Sequence, residues 1–147
     1  MAVESAYIDT SVLGAYYCPE PLSLAAESAL RDVEVPVISN LSLVEFGSLV
    51  SRKRQLKELD AGGASQILGT FNAHACGGSY QRIAIGAEHF IRAQQLVEAA
   101  TALRTFDALH LAAALIAEIP ILTADGQLAA AAKKLKARVI LVACARR

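Results

Sequence analysis

Five short runs of uninterrupted apolar residues punctuate this chain, at 6–8 (AYI), 35–38 (VPVI), 83–85 (IAI), 119–122 (IPIL) and 139–142 (VILV). A strand with one wet face alternates apolar and polar residues, whereas a strand covered on both faces is apolar throughout, as in parallel sheets. Pro36 and Pro120 stand near the start of their runs, where a missing backbone donor is tolerated. Between the runs lie stretches rich in Ala, Leu, Glu, Lys and Gln, strong helix formers, at 22–31, 41–56, 64–75, 88–100, 106–118 and 127–136. Strand and helix therefore alternate, which predicts an α/β fold with a mainly parallel sheet. Gly62-Gly63 and Gly77-Gly78 read as breaks between elements rather than domain boundaries. With no linker or repeat, residues 1–147 are expected to form one domain. Its core has to be built from Ala, Leu, Ile and Val, because 54% of residues are hydrophobic but only 5% aromatic.

Charge and cysteines exclude several classes. Lys plus Arg and Asp plus Glu each number 14, so the net charge is zero and overall electrostatics indicate no nucleic-acid partner. Any basic surface must be local, in Arg52-Lys53-Arg54 with Lys57, in Lys133-Lys134 with Lys136 and Arg138, or in Arg146-Arg147. Cys18, Cys76 and Cys144 are odd in number and widely spaced, which argues against a disulfide framework and a zinc site. The opening MAVESAYID is no signal peptide and no segment approaches a membrane span, so a cytoplasmic protein is expected.

In open α/β sheets ligands bind at the carboxyl ends of the strands. Asp9 directly follows the first apolar run and Asp125 follows the fourth, which brings both to one edge if their strands are parallel. Glu45 sits early in the helix after the second run, flanked by Val44 and Phe46. Ser42-x-x-Glu45 also matches a capping box, in which Glu45 would only satisfy a backbone N–H. Asp107 opens a helix of almost no other polarity, with Thr105 an equally good N-cap. His110, three residues on, shares its face and is read as a structural core residue rather than a ligand.

Four carboxylates on one sheet edge would raise each other's pKa unless a cation neutralised them. Oxygen donors without a His or Cys cluster indicate Mg²⁺ or Mn²⁺ rather than zinc. One such ion, or two about 4 Å apart, suits phosphodiester hydrolysis by in-line attack.

The motifs YIDTSVL, LSLVEFGSLV, TFDALHLAAA and ILTADGQLAAAAKKL, followed by RVILV, resemble in order and spacing those of PIN-domain nucleases, in particular VapC-type toxins of toxin–antitoxin pairs. The resemblance runs the whole chain. It implies a three-layer α/β/α fold, Mg²⁺- or Mn²⁺-dependent endoribonuclease activity, homodimerisation and inhibition by a small antitoxin. Carried over position by position, Asp9, Glu45, Asp107 and Asp125 are its metal-site acids, with Thr10, Ser11 and Thr123 as supporting hydroxyls. Leu128 departs from the pattern, standing where many relatives carry an aromatic residue.

Two rival enzyme classes fail on residues. Phosphoacceptor receivers need a lone aspartate after the third run and a lysine after the fifth, where Gly86 and Ala143 stand. DxD phosphatases need a second aspartate where Ser11 stands. Two alternatives stay open: a catalytically idle PIN-fold binding module, whose signature would be the loss of one or more of the acids, and a DNA or structure-specific nuclease, which usually needs extra arches or insertions that this short chain lacks.

Overall fold

The structure, a computed structural model, describes residues 2–144, so Arg146 and Arg147 of the third basic cluster lie outside the described residues. The elements run β1 (Val3–Ile8), α1 (Thr10–Tyr17), α2 (Ser23–Arg31), β2 (Val33–Ser39), α3 (Asn40–Gln55), α4 (Ala61–Cys76), β3 (Gln81–Ile83), α5 (Ala87–Ala99), α6 (Thr105–Ile116), β4 (Ile121–Thr123), α7 (Gly126–Lys134) and β5 (Val139–Leu141). The sheet order is β3-β2-β1-β4-β5 and every pairing is parallel, as the continuous apolar runs require.

Because successive strand residues face opposite sides, each strand feeds two cores. Ala6, Ile8, Ile38 and Leu122 pack with Val12 and Leu13 of α1, Ala26 of α2, and Phe46 and Phe71 of α3 and α4. Tyr7, Val37 and Ile121 point the other way, onto Leu96 of α5, the alanine-rich α6 and Leu128 of α7. Helices thus cover both faces, giving three layers. Leu128 is fully buried, so the departure from the family's aromatic is absorbed as packing. Phe46 and Phe71, with ring centroids 4.2 Å apart, anchor the first core, and each buried ring stabilises the fold by about 1.5–3 kcal/mol.

The boundaries differ from the expectation in three places. Residues 10–17 form a helix that composition did not reveal, since TSVLGAYY mixes β-branched and aromatic residues around a glycine. Gly14 in its middle lets α1 lie close to α3, because a Cβ there would stand 2.7 Å from Leu49 Cδ1. Gly62-Gly63 is no break but the first turn of α4, where the Asp60 carboxylate caps the Gly63 N–H at 2.7 Å. The third strand is Gln81–Ile83 rather than 83–85, and the Ile85 N–H instead bonds Asn40 Oδ1 at 2.8 Å. Gly77-Gly78 does end α4, with Gly78 at φ +86°.

Candidate active site

Each helix that follows a strand starts at the carboxyl edge of the sheet, and α6, which runs back toward β4, starts there too. The N-termini of α1, α3, α6 and α7 therefore meet at one edge, and each of the four acids rides on one of them. Asp9 is the N-cap of α1, Glu45 lies in the second turn of α3, Asp107 in the first turn of α6, and Asp125 is the N-cap of α7. The positive ends of these helices favour carboxylates. All four acids line one cleft of about 680 Å³, with Thr10, Ser11, Leu41, Val44, Arg52 and Arg104 among its walls.

Asp9, 4% exposed, is held by hydroxyls: Ser11 Oγ donates to its Oδ2 at 2.5 Å and Thr123 Oγ1 at 2.8 Å. The same two hydroxyls accept backbone N–H groups, Ser11 from Ala124 at 2.9 Å and Thr123 from Asp125 at 3.0 Å. Thr10 Oγ1 donates to Glu45 Oε1 at 2.8 Å. Each of the three hydroxyls singled out in the sequence thus touches an acid.

Glu45 is not the capping residue that Ser42-x-x-Glu45 allowed. The helix begins earlier, with Ser39 as N-cap, and it is Ser42 whose Oγ accepts the Ser39 N–H, at 3.0 Å. Glu45 instead bonds the imidazole Nε2 of fully buried His110, while His110 Nδ1 meets Tyr7 Oη at 2.6 Å. Burial pushes the Glu45 carboxyl up, but its bonds to His110 and Thr10 and the Arg104 charge outweigh it, and the pKa is lowered. Mutual repulsion therefore does not govern this acid, contrary to the sequence expectation.

Asp107 behaves as that expectation holds. Burial and the Asp9 charge raise its pKa, Arg104 opposes them, and Asp125 adds a smaller push upward. Thr105 does not cap the helix. It is the first helical residue, and the cap position belongs to Arg104. The Arg104 side chain, 75% exposed, bridges two acids, with Nε 3.3 Å from Asp107 Oδ2 and a terminal nitrogen 3.4 Å from Asp125 Oδ2. Asp125 Oδ1 meanwhile accepts the Gln127 and Leu128 N–H groups at 2.9 and 3.3 Å.

Five parallel strands place acids from four helix starts on one cleft, and comparison with known proteins decides the family. The family model of the PIN domain matches residues 6–134. The chain belongs to the PIN-domain family.

PIN domains are nucleases, hydrolases of phosphodiester bonds. Among solved structures, VapC20 of Mycobacterium tuberculosis, a sarcin-ricin loop cleaving toxin, shares the fold at TM-score 0.70 and 18% identity, over 86% of this chain and 94% of that one. PAE2754 from Pyrobaculum aerophilum matches at TM-score 0.67 and 20% identity, over 95% and 84%. A toxin–antitoxin complex from Klebsiella pneumoniae matches at TM-score 0.60 and 18% identity, over 82% and 86%. No curated protein matches the chain by sequence.

PIN domains generally use divalent metal ions, and the donor set here suits one. All four acids offer hard oxygen ligands, and the Arg104 guanidinium stands across two of them. As the side chains lie, no group of three or more His, Cys, Asp or Glu among the described residues is gathered tightly enough to hold an ion. Glu45 is drawn to His110 and Thr10, and Asp125 to its own helix cap. No helix among the described residues is long and apolar enough to cross a membrane.

Sequence reasoning missed Arg104 and the link from His110 to Glu45. Arg104 had a usable signal, a cation three residues before Asp107 at helical spacing. The His110 link joins residues 65 positions apart and had none.

Proposed function

We propose that this PIN domain is a Mg²⁺- or Mn²⁺-dependent endoribonuclease, the toxin of a toxin–antitoxin pair. The observation that carries the reading is the placement of Asp9, Glu45, Asp107 and Asp125, from four separate segments, along one cleft at the carboxyl edge of the sheet. These four acids would hold the ion. When bound, it supplies Lewis acidity that favours deprotonation of an attacking water and offsets charge on the scissile phosphate. The chain's own part is to keep Asp9 oriented through Ser11 and Thr123 and to keep Glu45 anionic through His110 and Thr10. Arg52 lines the same cleft and suits contact with the RNA backbone, whereas the Lys53 ammonium is paired with Glu20 and Glu58, and Lys133 and Lys134 stand at the far end of α7.

Val44, Leu56 and Phe106 line the cleft and are 70%, 60% and 53% exposed, an apolar rim suited to cover by a small antitoxin. Phe90 and Ile91 of α5, 59% and 60% exposed, suit a contact between two copies of the chain. Purified protein incubated with single-stranded RNA and, separately, with single-stranded DNA tests the reading. Cleavage of RNA alone, requiring Mg²⁺ or Mn²⁺, is expected. Undiminished cleavage in excess EDTA would sink the metal reading, and cleavage of DNA alone would sink the ribonuclease.

A further inference from the structure

A buried chain of polar side chains runs behind the cleft, from the end of β2 to α3. Ser39 Oγ lies 2.7 Å from Tyr7 Oη, Tyr7 Oη lies 2.6 Å from His110 Nδ1, and His110 Nε2 bonds Glu45 Oε1. Tyr7, Ser39 and His110 are each 0% exposed. No buried side-chain polar atom among the described residues lacks a partner.

The chain has a direction. An ionised carboxylate only accepts, so His110 Nε2 must donate to Glu45. The Tyr7 hydroxyl carries a single hydrogen and sits between two partners, so it can accept from Ser39 Oγ while donating to His110 Nδ1. Donation from Ser39 to Tyr7, from Tyr7 to His110 and from His110 to Glu45 satisfies every atom. Tyr7 thereby fixes which imidazole nitrogen carries the hydrogen that Glu45 receives, and the ring cannot turn without breaking a bond at each end. A polar network of this kind is far more than a hydrophobic core needs, since α6 is otherwise lined with Ala and Leu.

We infer that Tyr7 and His110 are positioning residues, which orient Glu45 by holding its Oε1 so that Oε2 is presented to the cation and substrate side of the cleft. This deepens the metal-nuclease reading and rests on it for the cation, but the hold on Glu45 is testable without one. Outer partners of ligating groups typically change metal affinity about 10–100-fold when removed.

The experiment has a metal-free and a metal-bound arm. In metal-free protein, nuclear magnetic resonance should show a downfield His110 Nε2–H signal that moves in Tyr7→Phe and vanishes in Glu45→Gln. In the second arm, Mn²⁺ affinity by calorimetry should fall about tenfold in Tyr7→Phe. The same change made in a Glu45→Gln background should cost nothing further, because the pair acts through one carboxylate. His110→Gln, whose amide can still donate, should retain more Mn²⁺ affinity than His110→Leu and guards against a Tyr7→Phe variant that does not fold. Equal losses from Tyr7→Phe in both backgrounds, or a lower melting temperature with unchanged Mn²⁺ affinity, would reduce the network to a structural role and overturn the inference. A parent protein that binds no Mn²⁺ but shows the coupled Nε2–H signal would overturn the metal-nuclease reading and leave the hold on Glu45 standing.

Discussion

The two halves of the acid cleft are held in different ways. Asp9 and Glu45 are gripped from inside by uncharged hydroxyls and a buried imidazole, on side chains that are themselves locked by backbone bonds or burial. Asp107 and Asp125 are linked from outside by one long, largely exposed arginine. Buried hydrogen bonds resist water and salt, whereas an exposed ion pair contributes about 0–1 kcal/mol and is easily exchanged. One half of the site is thus built before any ligand arrives, and the other keeps a removable cation in place. The two halves also differ in the direction of their shifts: the bonds to His110 and Thr10 help lower the Glu45 pKa, while burial and the Asp9 charge raise that of Asp107 against the pull of Arg104.

The largest effect is expected on the rigid half. Asp9→Asn should lower RNA cleavage by more than about 100-fold, equivalent to about 2.7 kcal/mol of barrier, with little change in melting temperature. Initial rates at saturating Mg²⁺ measure it, and a variant within a few-fold of the parent would remove Asp9 from the machinery. Thr123→Val keeps the shape but deletes one donor to Asp9 and one acceptor for Asp125 N–H, and about a tenfold loss in rate is expected. If Thr123→Val costs nothing, the rigidity of this half is without functional weight.

On the soft half, Arg104→Ala should do the opposite to cation binding. Removing a competing cation from Asp107 and Asp125 should tighten Mg²⁺ binding about threefold, with the gain shrinking at high salt. Calorimetry at two ionic strengths decides it, and weaker binding in the variant would make Arg104 a supporter rather than a competitor.

The smallest effect, and the sharpest contrast, is in stability against pH without metal. Asp107 has a raised folded pKa, so its favourable contribution exists at acidic pH and is lost as pH rises through that value. Asp107→Asn should therefore raise the neutral-pH melting temperature by about 2 °C and lose this gain in acid. Glu45 has a lowered folded pKa, so its contribution is present above the usual carboxylate range and lost as pH falls through the folded value. Glu45→Gln should accordingly lower the neutral-pH melting temperature, and that loss should fade in acid. Shifts of the same sign in both variants would erase the distinction between the halves.

The parallel sheet was legible because both-face burial writes itself into continuous apolar runs, and the place of Asp9 and Asp125 at the sheet edge was legible because one directly follows such a run and the other comes three residues after the end of one. Glu45 was ambiguous for a local reason: Ser42 lies three residues before it, and only the position of Ser39 shows which serine caps the helix. The first helix was hidden by its composition, and the glycine pair at 62–63 by the assumption that paired glycines end elements, when Asp60 supplies the missing stabilisation. The supporting hydroxyls Thr10, Ser11 and Thr123 were named through the family resemblance, but which acid each holds, and the Tyr7–His110 link, were illegible for a deeper reason. Tyr7 to His110 spans 103 positions and Asp9 to Thr123 spans 114, and local pattern carries no trace of such pairs.

Those separations bear on when the site comes into being. β1 is the middle strand, yet its partner β4 begins only at Ile121, so the first strand made waits for one of the last. During synthesis, a nascent chain without residues beyond 120 has Asp9 but neither Thr123 to orient it nor Asp125 opposite it. The four acids can therefore share one cleft only once about four-fifths of this sequence has emerged.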